Sequence, residues 1–189
     1  MIFFTCSNPC SVFSYMRQHR IVILLLSAII LFGPGCVSEP GIDKRKFSEL
    51  NRISQDLKTA IASGKPCDVP ASLLQQLASG TAALKDKTAS KGESDLIEAY
   101  SHLLTTYQDG LLLCQYQTPS SQLHFVPKGR IYVFQELDPL VQKYDLSTEN
   151  HLYKPTGVHW RSIAGDSIKV IWESAESQIK NIEIMVNYN

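Results

Sequence analysis

Residues 93–115 read ESDLIEAYSHLLTTYQDGLLLCQ. Leu96, Ile97, Tyr100, Leu103, Leu104, Tyr107, Leu111 and Cys114 recur in it at spacings of three and four. That period lays them along one stripe of an α-helix and excludes a strand, whose side chains alternate every two residues. Asp95 and Glu98 fall near the predicted N-terminus, where acids favour the helix dipole. Gly110 is a mild defect of roughly 1 kcal/mol relative to Ala. A helix of this length with one apolar stripe must be covered by other elements of the chain.

Downstream, Ile168, Ile171, Trp172, Ala175, Ile179, Ile182 and Val186 give a second helical stripe, over 165–186, with Asp166 near its cap. Upstream, Phe47, Leu50, Ile53, Leu57, Ala60 and Ile61 predict a half-buried helix over 43–63, opened by Asp43 and stopped by Gly64. Leu73, Leu74, Leu77, Thr81 and Leu84 predict another, starting near Pro70. Gly80 marks either a break in it or the close approach of a neighbouring helix. The polar 85–92 connection is short, so the helices on either side of it form an antiparallel hairpin.

Residues 118–161 differ, with Pro119, Pro127, Pro139 and Pro155 among them. The stretch 129–134 has β character, and Asp138-Pro139 opens a short helix through about Tyr144. Residues 146–161 read as loop. The expected fold is mostly α: an up-down bundle of about four long helices with one irregular insertion over 118–161, holding at most a short β hairpin.

The chain has 189 residues, enough for one domain, and 44% of them are apolar, which excludes a disordered chain. Its 18 basic residues balance 18 acidic ones, so it lacks the positive footprint of a nucleic-acid binder.

The N-terminus carries an address. Arg17 and Arg20 precede an apolar run over residues 21–32, followed by Gly33-Pro34-Gly35-Cys36. As a helix the run rises about 18 Å, short of the roughly 30 Å hydrocarbon core, so it suits a signal peptide better than a membrane span. Met16 offers a second start that places the positive residues first, whereas 1–15 puts apolar residues ahead of them. The ending resembles the lipobox of bacterial lipoproteins. Gly35 takes the small position before the cysteine, and Gly33 stands where that family prefers Leu. The resemblance implies cleavage before Cys36 and lipidation of Cys36. It also implies a lipid anchor in the membrane and, with Val37 rather than Asp next, sorting to the outer membrane facing the periplasm. Residues 1–35 would then be the signal, 36–42 a tether reaching about 20 Å, and 43–189 a single domain; the mature chain from Cys36 keeps 16 basic and 18 acidic residues, a net charge of about −2.

Cys67 and Cys114 remain as an even pair in an oxidising compartment, the natural setting for a disulfide. A metal site or a catalytic thiol would be the other uses, but neither cysteine lies in a C-x-x-C or close to a histidine. An antiparallel hairpin brings both to one end, and such a bridge is worth roughly 4 kcal/mol in the chain-entropy model.

The catalytic motifs searched for are missing. His102, His124, His151 and His159 form no tight pair of the kind zinc requires. There is no nucleophile elbow and no phosphate-cradling loop, and Ser101-His102 are helix neighbours that point apart. No cofactor or metal is implied. The most unusual stretch is 153–161, where Tyr153, Lys154, His159, Trp160 and Arg161 gather aromatics and cations in a predicted loop. These would suit a sugar ring, an anionic polymer or a protein. The competing reading has Tyr153 and Trp160 pinning the loop to the helices. Two functions follow. One is a non-catalytic binding or assembly module for an envelope partner, protein or glycan. The other is an envelope-acting hydrolase with its site around 118–161. A deep pocket joining His124, His151 or His159 to a carboxylate would favour the hydrolase, and a shallow aromatic surface the binding module.

Overall fold

The computed structural model describes residues 41–63 and 66–188. The signal segment with its alternative start, Cys36, the tether as far as residue 40 and the Gly64 stop lie outside the described residues.

The protein is mostly helical with a small antiparallel sheet. Its elements are α1 (Ser48–Ala62), α2 (Ala71–Lys85), α3 (Lys91–Gln122), β1 (Arg130–Tyr132), α4 (Asp138–Lys143), β2 (Thr148–Tyr153), β3 (Val158–Ala164) and α5 (Ile168–Tyr188). No helix among the described residues is long and apolar enough to cross a membrane. The longest helix, α3, packs most extensively on α5, and α2 covers another of its sides. α1 touches both α2 and α5.

Every stripe residue named for α5 is buried. So are Leu96, Ile97, Tyr100, Leu103 and Tyr107 of α3 and Phe47, Leu50, Ile53 and Leu57 at the start and along the length of α1. Gly110 is more than a mild defect. A Cβ there would lie 2.3–2.7 Å from three ring atoms of Trp172, so the missing side chain is the seat of the indole. Gly80 likewise admits Leu50 of α1. Of its two readings, close helix approach is the one found.

Four expectations about boundaries change. First, α3 runs seven residues past 115 and through Pro119. Ser120 explains the extension: it is fully buried, and its Oγ accepts the Tyr132 N–H at 3.0 Å, fastening the last helical turn to β1. Second, 118–161 is not an irregular insertion. It carries α4 and most of a three-stranded sheet of order β1-β3-β2, β3 ending at Ala164. Ile131, Leu137, Leu140, Val141 and Leu146 from this region, with Ile163 of β3, join the same hydrophobic core as the helices. Third, α1 starts at Ser48 rather than at Asp43, whose Oδ1 instead accepts the Arg45 N–H at 3.1 Å in a turn. Fourth, Ile42 is buried, so the tether ends before it.

The start of α3 is capped by Ser90, with Glu93 reaching one residue further back than in a capping box. Ser90 Oγ accepts the Glu93 N–H at 3.2 Å, and Glu93 reaches back to the Ala89 N–H at 2.7 Å. The buried Glu93 carboxylate also takes Lys46 Nζ at 2.5 Å and the Asp43 N–H at 3.3 Å. It thereby ties the entry of the chain to the α3 N-terminus. The Lys46 hydrogen bond, with the backbone N–H bonds of Ala89 and Asp43, holds its pKa below the ordinary 4.5 against the opposing effect of burial. A depressed carboxylate stabilises the fold above its unfolded pKa and loses that contribution as pH falls through the folded one. Urea unfolding should therefore show Glu93→Gln less stable than the unsubstituted chain at pH 7, with the gap narrowing as pH drops below about 4.5. A gap that is constant from pH 7 to pH 3 would show that the charge of Glu93 contributes nothing.

Candidate functional site

Strand alternation sorts the sheet residues into two faces. In the register Tyr132↔Ser162, His151↔Trp160 and Tyr153↔Val158, these six residues share one face. Ile131, Thr148 and Ile163 share the other, with Asn150, Leu152, His159 and Arg161 continuing it toward the hairpin end.

Trp160 lies at the centre of the first face. Its ring stacks between His151, at 4.1 Å between centroids, and Tyr132, at 5.6 Å. Phe125, from the loop after α3, meets it edge-on at 5.2 Å and also contacts Tyr153 at 5.2 Å. Tyr132 passes the contact on to Phe134, and Phe134 to Tyr116 of α3. Offset and edge-to-face pairs of this kind add about 0.5–1.5 kcal/mol each beyond their buried area. Trp160 is only 8% exposed, whereas Phe125 is 38%, Tyr153 37% and Val158 58% exposed. The platform thus has a buried centre and an apolar rim open to water. Beside the rim, Gln122, Leu123, His124, Phe125 and Tyr153 line a shallow depression of about 340 Å³.

Next to Trp160, a polar cluster holds the strands together. Arg130 Nε donates to Ser162 Oγ at 2.9 Å, and its Nη1 to Glu149 Oε1 at 2.6 Å. Ser162 Oγ is 2.8 Å from His151 Nε2. A serine bonded to a histidine with a carboxylate nearby has the composition of a nucleophile–base set. Here Ser162 is fully buried, and its oxygen accepts from Arg130. That oxygen is therefore held in the sheet rather than offered to a substrate.

The structure separates the five residues predicted to form one ligand surface. Tyr153 and Trp160 lie on the aromatic face. His159 falls on the opposite face, as does Arg161, which pairs with Asp138 of α4. Lys154 lies in the turn between β2 and β3, where Gly157 adopts φ 71°, a left-handed conformation that glycine accommodates. The predicted loop is a hairpin, and the period of two divides its side chains. His124, His151 and His159 lie apart: the first lines the depression, the second stacks on Trp160 with its Nε2 4.0 Å from Glu149 Oε2, and the third is exposed across the sheet. Among the described residues there is no group of three or more side chains suited to a metal ion. Cys67 and Cys114 are disulfide-bonded, with Cα atoms 5.7 Å apart, joining the turn before α2 to the body of α3.

Sequence reasoning missed Phe125, Tyr132 and Val158, and considered His151 only as a lining residue for a hydrolase pocket. The signal was present as alternation in β3, where Val158, Trp160 and Ser162 take one side and His159, Arg161 and Ile163 the other.

A second groove, of about 430 Å³, lies between α3, α4 and α5. Several of its polar groups are already engaged in hydrogen bonds. Lys143 Nζ and Tyr144 OH both donate to Asp109 Oδ2, at 2.6 and 2.9 Å, and Gln178 Nε2 donates to Thr106 Oγ1 at 2.9 Å. It is the weaker candidate.

Comparison with family models, with curated proteins and with solved structures returns no match.

Proposed function

We propose that the protein is a bacterial lipoprotein, anchored through Cys36 to the outer membrane and facing the periplasm, that acts as a non-catalytic binding or assembly module for an envelope partner, protein or glycan. The observation that carries the binding role is the exposed rim of Phe125, Tyr153 and Val158, with a shallow depression beside it that Phe125 and Tyr153 also line. A soluble domain gains nothing by exposing three large apolar side chains together, and a partner that covers them does. Gln122 and His124, at the same depression, supply hydrogen-bonding groups for a polar partner. The anchor rests on the lipobox-like Gly33-Pro34-Gly35-Cys36. The four long helices are read as an up-down bundle, which the closed circuit of contacts α1–α2–α3–α5–α1 supports.

Processing is tested by Cys36→Ser. It should abolish labelling by a palmitate analogue and leave an unprocessed or soluble form. Labelling that survives the substitution rules out the anchor.

Binding is tested by affinity capture from solubilised envelopes and from isolated envelope glycan. The doubly substituted Phe125→Ser/Tyr153→Ser chain should lose the captured partner at least tenfold, with little change in melting temperature. Trp160→Ala should instead cost about 3 kcal/mol, because it empties the buried centre of the platform. Equal capture by the doubly substituted and unsubstituted chains would remove the aromatic face as the docking surface.

A further inference from the structure

In the order β1-β3-β2, strand β2 is hydrogen-bonded on one side only, and among the described residues no strand lies along its other side. The Val133 N–H donates to Arg161 O at 2.9 Å, so 161 and its alternates in β3 direct their backbone groups at β1. Residues 158, 160 and 162 then direct theirs at Tyr153, His151 and Glu149. The Gly157 N–H bond to Tyr153 O, 2.9 Å, agrees with that assignment. The N–H and C=O groups of Thr148, Asn150 and Leu152 therefore point outward from the sheet. Strand β2 has no proline, no lysine and no inserted residue to blunt its edge; its one acid, Glu149, is paired with Arg130, and Leu152 is 52% exposed.

We propose that this edge pairs antiparallel with the same edge of a second copy, in the register centred on Asn150, to make a continuous six-stranded sheet. That register places Asn150 opposite its symmetry mate and Thr148 opposite Leu152, so every outward backbone group from 148 to 152 is bonded. It also places Glu149 of each copy opposite His151 of the other, at the positions where cross-strand side chains are closest. His151 Nε2 is held by Ser162, which leaves Nδ1 to meet the facing carboxylate. Other centres lose this complementarity. Centring on His151 sets it against itself and Glu149 against Tyr153. Centring on Leu152 sets His151 against Tyr153 and leaves Glu149 without a mate in the strand. The acid is compensated within each copy by Arg130, so two like charges do not oppose the pairing. The aromatic faces of the two copies would then lie on the same side of one sheet. The pairing depends on neither the lipid anchor nor the binding role.

The test uses the full chain in detergent micelles, with the unsubstituted chain as background. In an antiparallel hydrogen-bonded pair the two Cα atoms are about 5.5 Å apart, within disulfide range. Asn150→Cys should therefore form a covalent dimer on oxidation, seen on a non-reducing gel. Leu152→Cys should not, because its two copies lie about 14 Å apart along the strands. Native mass spectrometry should show two copies of the unsubstituted chain and one of Asn150→Lys, which sets two ammonium groups on the symmetry axis, with helical circular dichroism unchanged. A monomeric unsubstituted chain overturns the proposal. So does equal cross-linking at 150 and 152, or cross-linking of Asn150→Cys to a different polypeptide, which would make the edge a site for a foreign strand. Should Asn150→Lys fail to fold, the contrast between the two cysteine variants still decides.

Discussion

Truncating Trp172 to Ala is expected to lower the unfolding free energy by about 3–5 kcal/mol, the range for emptying a buried aromatic site. The indole is almost fully buried between α3 and α5 and tilts against Tyr107 at 5.7 Å between ring centroids. Its N–H has no hydrogen-bond partner among the described residues, so what is lost is packing. The complementary change is Gly110→Ala. In an exposed helix this substitution stabilises by up to about 1 kcal/mol. Here the new methyl group would run into a rigid ring, and overpacking of that kind costs about 1–3 kcal/mol. The two positions must be strongly coupled: Gly110→Ala should be neutral or stabilising in a Trp172→Ala background. Urea unfolding of both single variants and the double variant measures the coupling. Additive effects would mean that Gly110 and Trp172 do not share one site.

Replacing Cys67 and Cys114 together by Ala should cost about 2–5 kcal/mol. The bridge spans 47 residues of sequence, closing the α2–α3 hairpin at the end opposite its connecting loop. Its constraint acts chiefly on the unfolded chain, so the folded dichroism spectrum should be unchanged while the denaturant midpoint falls. Non-reducing peptide mapping should recover one peptide pair joining the two positions. Two free thiols in natively folded protein would overturn the pairing. The effect should also be local in sequence. Hydrogen exchange should rise first in α2, which the bridge holds to α3, and last in α5, whose stripe is buried whether or not the bridge is present.

The helical part of the fold was legible because its stripes are long. Seven buried positions over α5 repeat one period too often to belong to another structure, and the same holds for α3. The candidate site was legible only in part. Tyr153 and Trp160 were recognised as unusual, but their division into rim and centre was not. Strand β2, TENHLY, is polar at most positions and lacks the apolar alternation that marks a half-buried strand. Its conformation comes from pairing with β3, a contact between residues that local preference does not link. The Ser-x-x-Glu spacing of Ser90 and Glu93 was readable in the sequence as a helix start.

The sequence by itself determined that the protein is mostly helical, which faces of its long helices are buried, and that Cys67 and Cys114 would meet if the hairpin formed. These follow from periodicity and short connections, which are local properties. Only the tertiary structure decided that Gly110 is a seat for Trp172, that α3 continues through Pro119, and that 118–161 closes the core instead of decorating it. Each of these depends on a group distant in sequence: the indole for Gly110, the Tyr132 amide for Ser120, and β3 for β2. A spacing pattern carries no information about such partners until the chain has brought them within a few ångströms.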